Sequence, residues 1–172
     1  MKNKLTVNTI TKIAILAALA VIFRRYFTVT IPVNKKIGIG YMPIMLAGIL
    51  YGPLMGGLTG GLADVVGMLL NPDGVFHPGF TLSSILIGLG SGFISHYVFK
   101  KQIRKNITWI SIISSLFTFM VVRLLVDSIW LSQLYSNPYV FYVAGNVIKN
   151  LIETAINAAI LMVLVPRIEK YT

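Results

Sequence analysis

The sequence predicts an all-α integral membrane protein, a compact bundle of about six transmembrane helices with both termini in the cytoplasm. Its 172 residues are 56% hydrophobic and only 12% charged, about half the charge of a typical soluble domain. Apolar segments recur along the chain, and roughly 20 apolar residues suffice to cross a bilayer core. Most basic residues flank these segments on one predicted face, as the positive-inside rule expects of the cytoplasmic side. We expect residues 1–172 to form a single transmembrane domain.

The predicted helices follow from apolar length and from the turn residues between segments. They cover 10–27, 41–51, 54–70, 80–99, 107–135 and 139–165. We interpret the first as a retained span, because its apolar stretch is longer than that of a typical signal peptide. The second is too short to cross a bilayer unless it borrows residues 37–40. Residues 28–40 and 71–79 are predicted loops, and the second of these loops contains Asn-Pro, Asp-Gly and Pro-Gly turn signals.

The net charge of +10 does not indicate nucleic-acid binding, because a phosphate-binding patch needs an exposed surface that so apolar a chain lacks. We attribute most of the charge to membrane orientation. With the N-terminus inside, six spans place 9 of the 15 basic residues at the cytoplasmic face. The other six break this rule and are the more informative: Arg24, Arg25, Lys35, Lys36, Arg123 and Lys149. The chain has no cysteine, which excludes disulfides and thiol chemistry.

Three of these cations are predicted to lie at one depth. Arg24, Arg123 and Lys149 are each 18 to 20 residues from a basic residue at the cytoplasmic face, which is about 27–30 Å along a helix. Because a hydrocarbon core is about 30 Å thick, all three fall just beneath the outer interface. Asp127 and Glu153 follow Arg123 and Lys149 at i,i+4 spacing, so each pair shares a helix face. Snorkelling would explain any single residue, whereas the set favours a buried polar site.

Further polar and aromatic residues extend the predicted site. The glycine-rich segment 54–70 carries one carboxylate, Asp64, and its glycines allow close helix packing around this buried group. The sixth helix carries an inward polar stripe of Asn146, Asn150, Glu153 and Asn157. Aromatic residues, including Phe80 and Trp130, gather at the outer side. They form either an interfacial belt or a stacking surface for a flat ring.

No catalytic or metal-binding pattern emerges from the sequence. His77 lies in the predicted outer loop and His96 near the inner interface, so the two histidines cannot share a metal ion. The serines at 83, 84, 91 and 95 have no triad partner and are typical of helix packing. The chain also lacks a Walker sequence. We therefore expect neither an enzyme nor a bound cofactor, and uphill transport would need another subunit or an ion gradient.

The chain resembles the substrate-binding S components of energy-coupling factor (ECF) vitamin transporters over nearly its whole length. The features are six short helices, an alanine motif at Ala14 and Ala18, and the loop after the first helix. The block IGYMPIMLAGILYGPLMGGLTGGLADVVGMLL, followed by GVFHPGFTLSSILIGLGSGF, is similar to the folate-specific branch. The resemblance implies a protein of the bacterial plasma membrane that captures a vitamin from outside. It implies as partners a coupling subunit, which Ala14 and Ala18 would contact, and two ATPases.

The candidate substrate-binding residues combine this resemblance with the polar residues above. They are Arg24, Arg25, Lys35, Asp64, His77, Phe80, Arg123, Asn146, Lys149 and Asn150. A pterin edge suits a carboxylate or an amide, and a dianionic glutamate tail suits arginine and lysine. We expect Asp64, Asn146 or Asn150 to bind the pterin edge, and Arg24, Arg25 or Lys35 to bind the tail. The pairs formed by Arg123 and Lys149 could instead hold the site in shape.

Other functions remain open at this point. Another vitamin, such as riboflavin, thiamine or a pyrimidine precursor, would suit the same fold, although cationic thiamine fits poorly among clustered cations. An ion-coupled transporter or channel that works alone is a different class, and would catalyse uptake in liposomes without ATPases. A membrane-embedded enzyme is disfavoured by the missing catalytic set.

Overall fold

The computed structural model describes residues 7–31, 35–70, 75–100 and 102–170. Within these ranges the chain forms six helices: α1 (Val7–Tyr26), α2 (Met42–Tyr51), α3 (Pro53–Leu70), α4 (Pro78–Val98), α5 (Ile103–Tyr135) and α6 (Tyr139–Glu169). The last four are long and apolar enough to cross a membrane. The prediction of an all-α membrane bundle of about six helices is confirmed.

Helix α2 forms the centre of the bundle. Every residue from Met42 to Leu50 is buried, so this helix is surrounded by protein instead of lipid. Its ten residues would reach only about 15 Å, which agrees with the prediction that it cannot cross a bilayer by itself. Gly52 separates it from α3 with a φ of 99°, a conformation that glycine adopts without strain. The chain therefore reverses within one residue.

The predicted loop at 28–40 contains a β-hairpin. Strand β1 (Thr28–Ile31) pairs antiparallel with strand β2 (Lys35–Gly38), so that Thr28 faces Gly38. The prediction of a loop was wrong for these residues. The run of β-branched side chains in β1 favours an extended backbone and explains why a strand forms there. Residues 32–34 and 71–74 of the two predicted loops lie outside the described residues.

Several helix ends differ from the predicted ones. Helix α4 begins at Pro78, because proline suits the first turn and the Nδ1 atom of His77 accepts a hydrogen bond from the Gly79 N–H at 3.1 Å. Helix α5 begins at Ile103, so Arg104 and Lys105 lie in its first turn. Helix α6 continues to Glu169 through Pro166.

Helices α3 and α4 pack with their backbones almost in contact. A Cβ atom on Gly88 would lie 2.0 Å from the carbonyl oxygen of Gly56, and one on Gly60 would lie 2.1 Å from that of Ser84. Only glycine fits at such distances, as the close packing predicted for this segment requires. The same contact brings Asp64 of α3 towards the first two turns of α4.

Helix α5 is π-helical from Phe117 to Val126. Wider turns of this kind are uncommon and are frequently found at functional sites. Phe119 and Val122 point into the core, and Arg123 follows them on the same segment. The irregular stretch of α5 therefore carries one of the predicted site residues.

Candidate functional site

Asp64 is the centre of one polar cluster beneath the outer end of the bundle. Its side chain is buried and its Oδ1 atom lies 2.6 Å from Nη1 of Arg24. Thr81 donates to Oδ2 at 2.8 Å, and Ser84 donates to Oδ1 at 3.3 Å. Arg24 also donates to the Ser84 hydroxyl at 3.3 Å. We call Arg24, Asp64, Thr81 and Ser84 the Asp64 cluster. The Arg24–Asp64 ion pair connects α1 to α3, and the hydrogen bonds of Thr81 and Ser84 connect α3 to α4.

A second group of charged residues joins α5 and α6, and we call it the α5–α6 cluster. It consists of Arg123, Asp127, Lys149 and Glu153. Arg123 forms an ion pair with Asp127, as the i,i+4 spacing predicts. Lys149 Nζ lies 3.9 Å from Glu153 Oε1, and the Gly38 N–H donates to the same oxygen at 3.2 Å. Strand β2 is thereby held against α6 by the carboxylate of Glu153.

Tyr41 connects the two clusters. The guanidinium carbons of Arg24 and Arg123 each lie 4.7 Å from the centroid of its ring, within the range of a cation–π interaction. Gly40 allows this arrangement, because a Cβ atom there would lie 2.8 Å from the Cα atom of Arg24. The sequence alone did not identify Tyr41 as a site residue. The sequence feature that could have identified Tyr41 is its position directly after Gly40, at the start of an apolar helix.

Within the α5–α6 cluster and Asn150, four buried polar atoms have no hydrogen-bond partner among the described residues. They are the acceptors Asp127 Oδ1 and Glu153 Oε2 and the donors Arg123 Nε and Asn150 Nδ2. Buried polar atoms in proteins are nearly always paired with protein, water or ligand. The α5–α6 cluster and Asn150 therefore offer both donors and acceptors to a polar ligand.

The remaining predicted residues lie around these clusters. Arg25 donates to the Gly67 carbonyl oxygen at 2.8 Å, at the end of α3. Lys35 begins β2 opposite Ile31. Asn146 is half-buried, one turn before the fully buried Asn150 on α6.

An aromatic rim lies at the start of α4. The ring of His77 lies 5.9 Å from that of Phe80 and 5.6 Å from that of Trp130. Trp130 is fixed in turn, since its Nε1 donates to the Ser83 hydroxyl at 3.1 Å and Gly79 packs against its ring. Ser83 is the neighbour of Ser84, so the rim adjoins the Asp64 cluster. In the part of the chain that the structure describes, no three His, Asp or Glu side chains could hold a metal ion.

Ala14 and Ala18 lie on the exposed face of α1, whereas Ala17 and Ala20 are buried in the core. Small residues on an exposed face allow a second helix to approach closely. The side of α1 that carries the predicted partner contact is therefore the side facing away from the bundle.

Comparisons with known proteins agree on the architecture. The family model for the substrate-specific component of ECF transporters matches residues 8–165. The folate transporter FolT of Clostridium novyi (strain NT) is 29% identical over 155 residues, 90% of this chain and 86% of that protein. A crystal structure of FolT bound with folic acid aligns with a TM-score of 0.78 and 28% identity, and covers 94% of this chain and 95% of that chain.

The crystal structure of an S component for biotin from an ECF-type ABC transporter aligns with a TM-score of 0.76 and 25% identity. It covers 99% of this chain and 95% of that chain. The fold is thus shared between S components for different vitamins. Because the family match spans nearly the whole sequence, this protein belongs to the substrate-specific S components of ECF transporters.

Proposed function

We propose that this S component binds folate outside the cell and delivers it inward together with a coupling subunit and two ATPases. The observation that carries the proposal is the similarity, over 94% of the chain, to a FolT structure with bound folic acid. The biotin S component has nearly the same TM-score, 0.76 against 0.78, so the fold alone does not select the vitamin. The relative at 29% identity and the chemistry of the site favour folate over the other vitamins.

The α5–α6 cluster and Asn150 suit the edge of a pterin ring. That edge presents N–H donors beside a carbonyl acceptor, and Glu153 Oε2 and Asn150 Nδ2 are the complementary acceptor and donor. Leaving a buried polar group unpaired costs about 1–3 kcal/mol, so a ligand that pairs with these atoms gains by the same amount. We assign the pterin edge to Asn150 and Glu153, and its flat face to the rim of His77 and Phe80.

Asp64 fits a positioning role better than direct contact with the pterin. Its two oxygens already accept hydrogen bonds from Arg24, Thr81 and Ser84. Three of the roughly four acceptor sites of the carboxylate are therefore filled, which leaves about one for a ligand. We propose that Asp64 holds Arg24 in the orientation in which its guanidinium meets Tyr41 and the ligand.

The anionic tail of folate fits the cations at the outer end. Arg24 and Arg25 occupy the last turn of α1, directly before β1, and Lys35 begins β2. Guanidinium groups bind carboxylates through charge-assisted hydrogen bonds, which are stronger than neutral ones. We propose that the tail lies between the end of α1 and the hairpin.

A titration of the detergent-purified protein with folic acid tests this function. We expect saturable binding of one folate per chain, with no displacement by excess biotin, riboflavin or thiamine. Tryptophan fluorescence should report binding through Trp130, which contacts the rim, and not through Trp109, which is 62% exposed at the other end of α5. Trp130→Phe should abolish the fluorescence change, and the matched variant Trp109→Phe should keep it. Displacement by biotin would contradict the choice of vitamin.

The assignment of the tail predicts a selective effect of Arg25→Ala. Losing a charge-assisted hydrogen bond costs about 1.5–3 kcal/mol, so folate affinity should fall roughly tenfold to a hundredfold. Pteroate, which lacks the glutamate, should lose much less, as calorimetry would measure. Because both ligands are compared on one variant, the lost bond to Gly67 affects them equally. Arg167→Ala, an exposed cation at the far end of α6, should change neither affinity, and equal losses for both ligands would refute the assignment.

A further inference from the structure

An apolar groove of about 490 Å³ lies along α4, outside the substrate site. Its lining includes Leu86, Leu89, Phe93 and Val98 of α4, Pro53 of α3 and Phe117 of α5. Phe93 and Val98 are more than half exposed. Ser95, on the opposite side of the same helix, donates to the Ile49 carbonyl oxygen in the core. The groove therefore opens away from the bundle, towards the surrounding lipid.

The length of the groove matches one leaflet of a bilayer. Leu86 and Val98 are 12 residues apart on α4, which is about 18 Å at 1.5 Å per residue. One leaflet contributes about half of a 30 Å hydrocarbon core. An extended acyl chain thus fits along the groove, from the membrane interface to the middle of the bilayer.

Three exposed cations lie at the interfacial end of this groove. Lys100 follows Val98 by two residues, at a reversal of the chain where its φ is 48°. Arg104 and Lys105 are exposed in the first turn of α5, 13 and 12 residues before Phe117 of the groove. The end of α4 and the start of α5 therefore carry basic residues on the same side of the membrane, which the positive-inside rule assigns to the cytoplasm.

We propose that the groove and these cations together bind one anionic phospholipid of the inner leaflet. An acyl chain occupies the groove, and the phosphate headgroup contacts Lys100, Arg104 and Lys105. Orientation in the membrane accounts for basic residues at this face, but it does not account for an apolar groove that ends at them. Each Lys or Arg near an anionic lipid surface contributes about fivefold to binding, so the charge favours an anionic lipid over a zwitterionic one. This site is separate from the folate site and does not depend on the choice of vitamin.

Native mass spectrometry of the full chain in detergent tests the proposal. Phosphatidylglycerol and phosphatidylcholine with identical acyl chains are added separately. We expect one phosphatidylglycerol to bind at least tenfold more tightly than phosphatidylcholine. The double variant R104Q/K105Q should lose this preference. The matched variant R167Q/K170Q, which removes two exposed cations at the end of α6, should keep it.

A second pair of variants tests the groove itself. Val98→Trp fills its interfacial end and should weaken binding of both lipids at least fivefold. Val163→Trp is the matched control. The two valines are similarly exposed, Val163 by 52% and Val98 by 57%, but only Val98 lines the groove. Folate titration of every variant checks that the protein is folded. Equal binding of the two lipids, or equal effects of test and control variants, would overturn the proposal. The groove would then be better explained as a binding surface for a transmembrane helix of a partner subunit.

Discussion

Replacing Arg24 with alanine is expected to weaken folate binding at least a hundredfold and to destabilise the protein by about 3–5 kcal/mol. The stability loss follows because Asp64 would remain buried without its cation, and removing one partner of a buried ion pair has this cost. The binding loss follows because Asp64 and the Tyr41 ring hold Arg24 in place, and we propose that its guanidinium contacts the ligand. Calorimetry with folate and thermal unfolding in detergent measure the two effects.

The double variant Arg24→Ala/Asp64→Ala separates the two roles of Arg24. It removes both charges together, so much of the stability should return. Folate affinity should stay low, because the cation proposed to meet the ligand is still missing. Asp64→Ala alone should be destabilised like Arg24→Ala. A double variant that binds folate as the unmodified protein does would show that Arg24 only balances the charge of Asp64.

Replacing Gly60 with alanine is expected to lower both thermal stability and folate affinity, the latter by at least tenfold. The new Cβ atom would lie 2.1 Å from the Ser84 carbonyl oxygen and 2.7 Å from its carbon, so the backbones of α3 and α4 must separate. Ser84 hydrogen-bonds to Arg24 and Asp64, and the separation would disturb the Asp64 cluster. The measurements are an unfolding scan in detergent and a folate titration.

Gly67→Ala is the matched control on the same helix. Its Cβ atom would meet Val21 at 3.8 Å and the Arg25 guanidinium at 4.0 Å, which are ordinary contacts. Because alanine is favoured over glycine in a helix by about 1 kcal/mol, stability should be unchanged or slightly higher. If both alanine variants unfold at the same temperature, close packing of α3 against α4 is not what positions the site.

The sequence predicted those parts of the structure that depend on one segment at a time. Helix positions follow from apolar length, and the i,i+4 pair of Arg123 and Asp127 follows from helical spacing. The family prediction is confirmed over residues 8–165. The roles of the individual site residues stay predictions, although Asn150 is fully buried, as expected of the inward face of α6.

The features that the sequence missed depend on contacts between distant segments. Arg24 and Asp64 are 40 residues apart, and no local spacing links them. Tyr41 gains its position between two arginines only when α1, α2 and α5 are packed together. The hairpin was missed because its four-residue strands are short and irregular in pattern, and it is held in place by Glu153, 115 residues away from Gly38.

Uptake of labelled folate into proteoliposomes tests most directly whether this chain is a binding subunit that depends on ATPases. We expect the chain alone to bind folate without accumulating it, with or without an ion gradient. Concentrative uptake should require the coupling subunit, both ATPases and ATP inside the vesicles, because the chain is an S component of the ECF family. Accumulation by the chain alone under an ion gradient would instead identify an independent transporter, and the proposed role as an S component would be wrong.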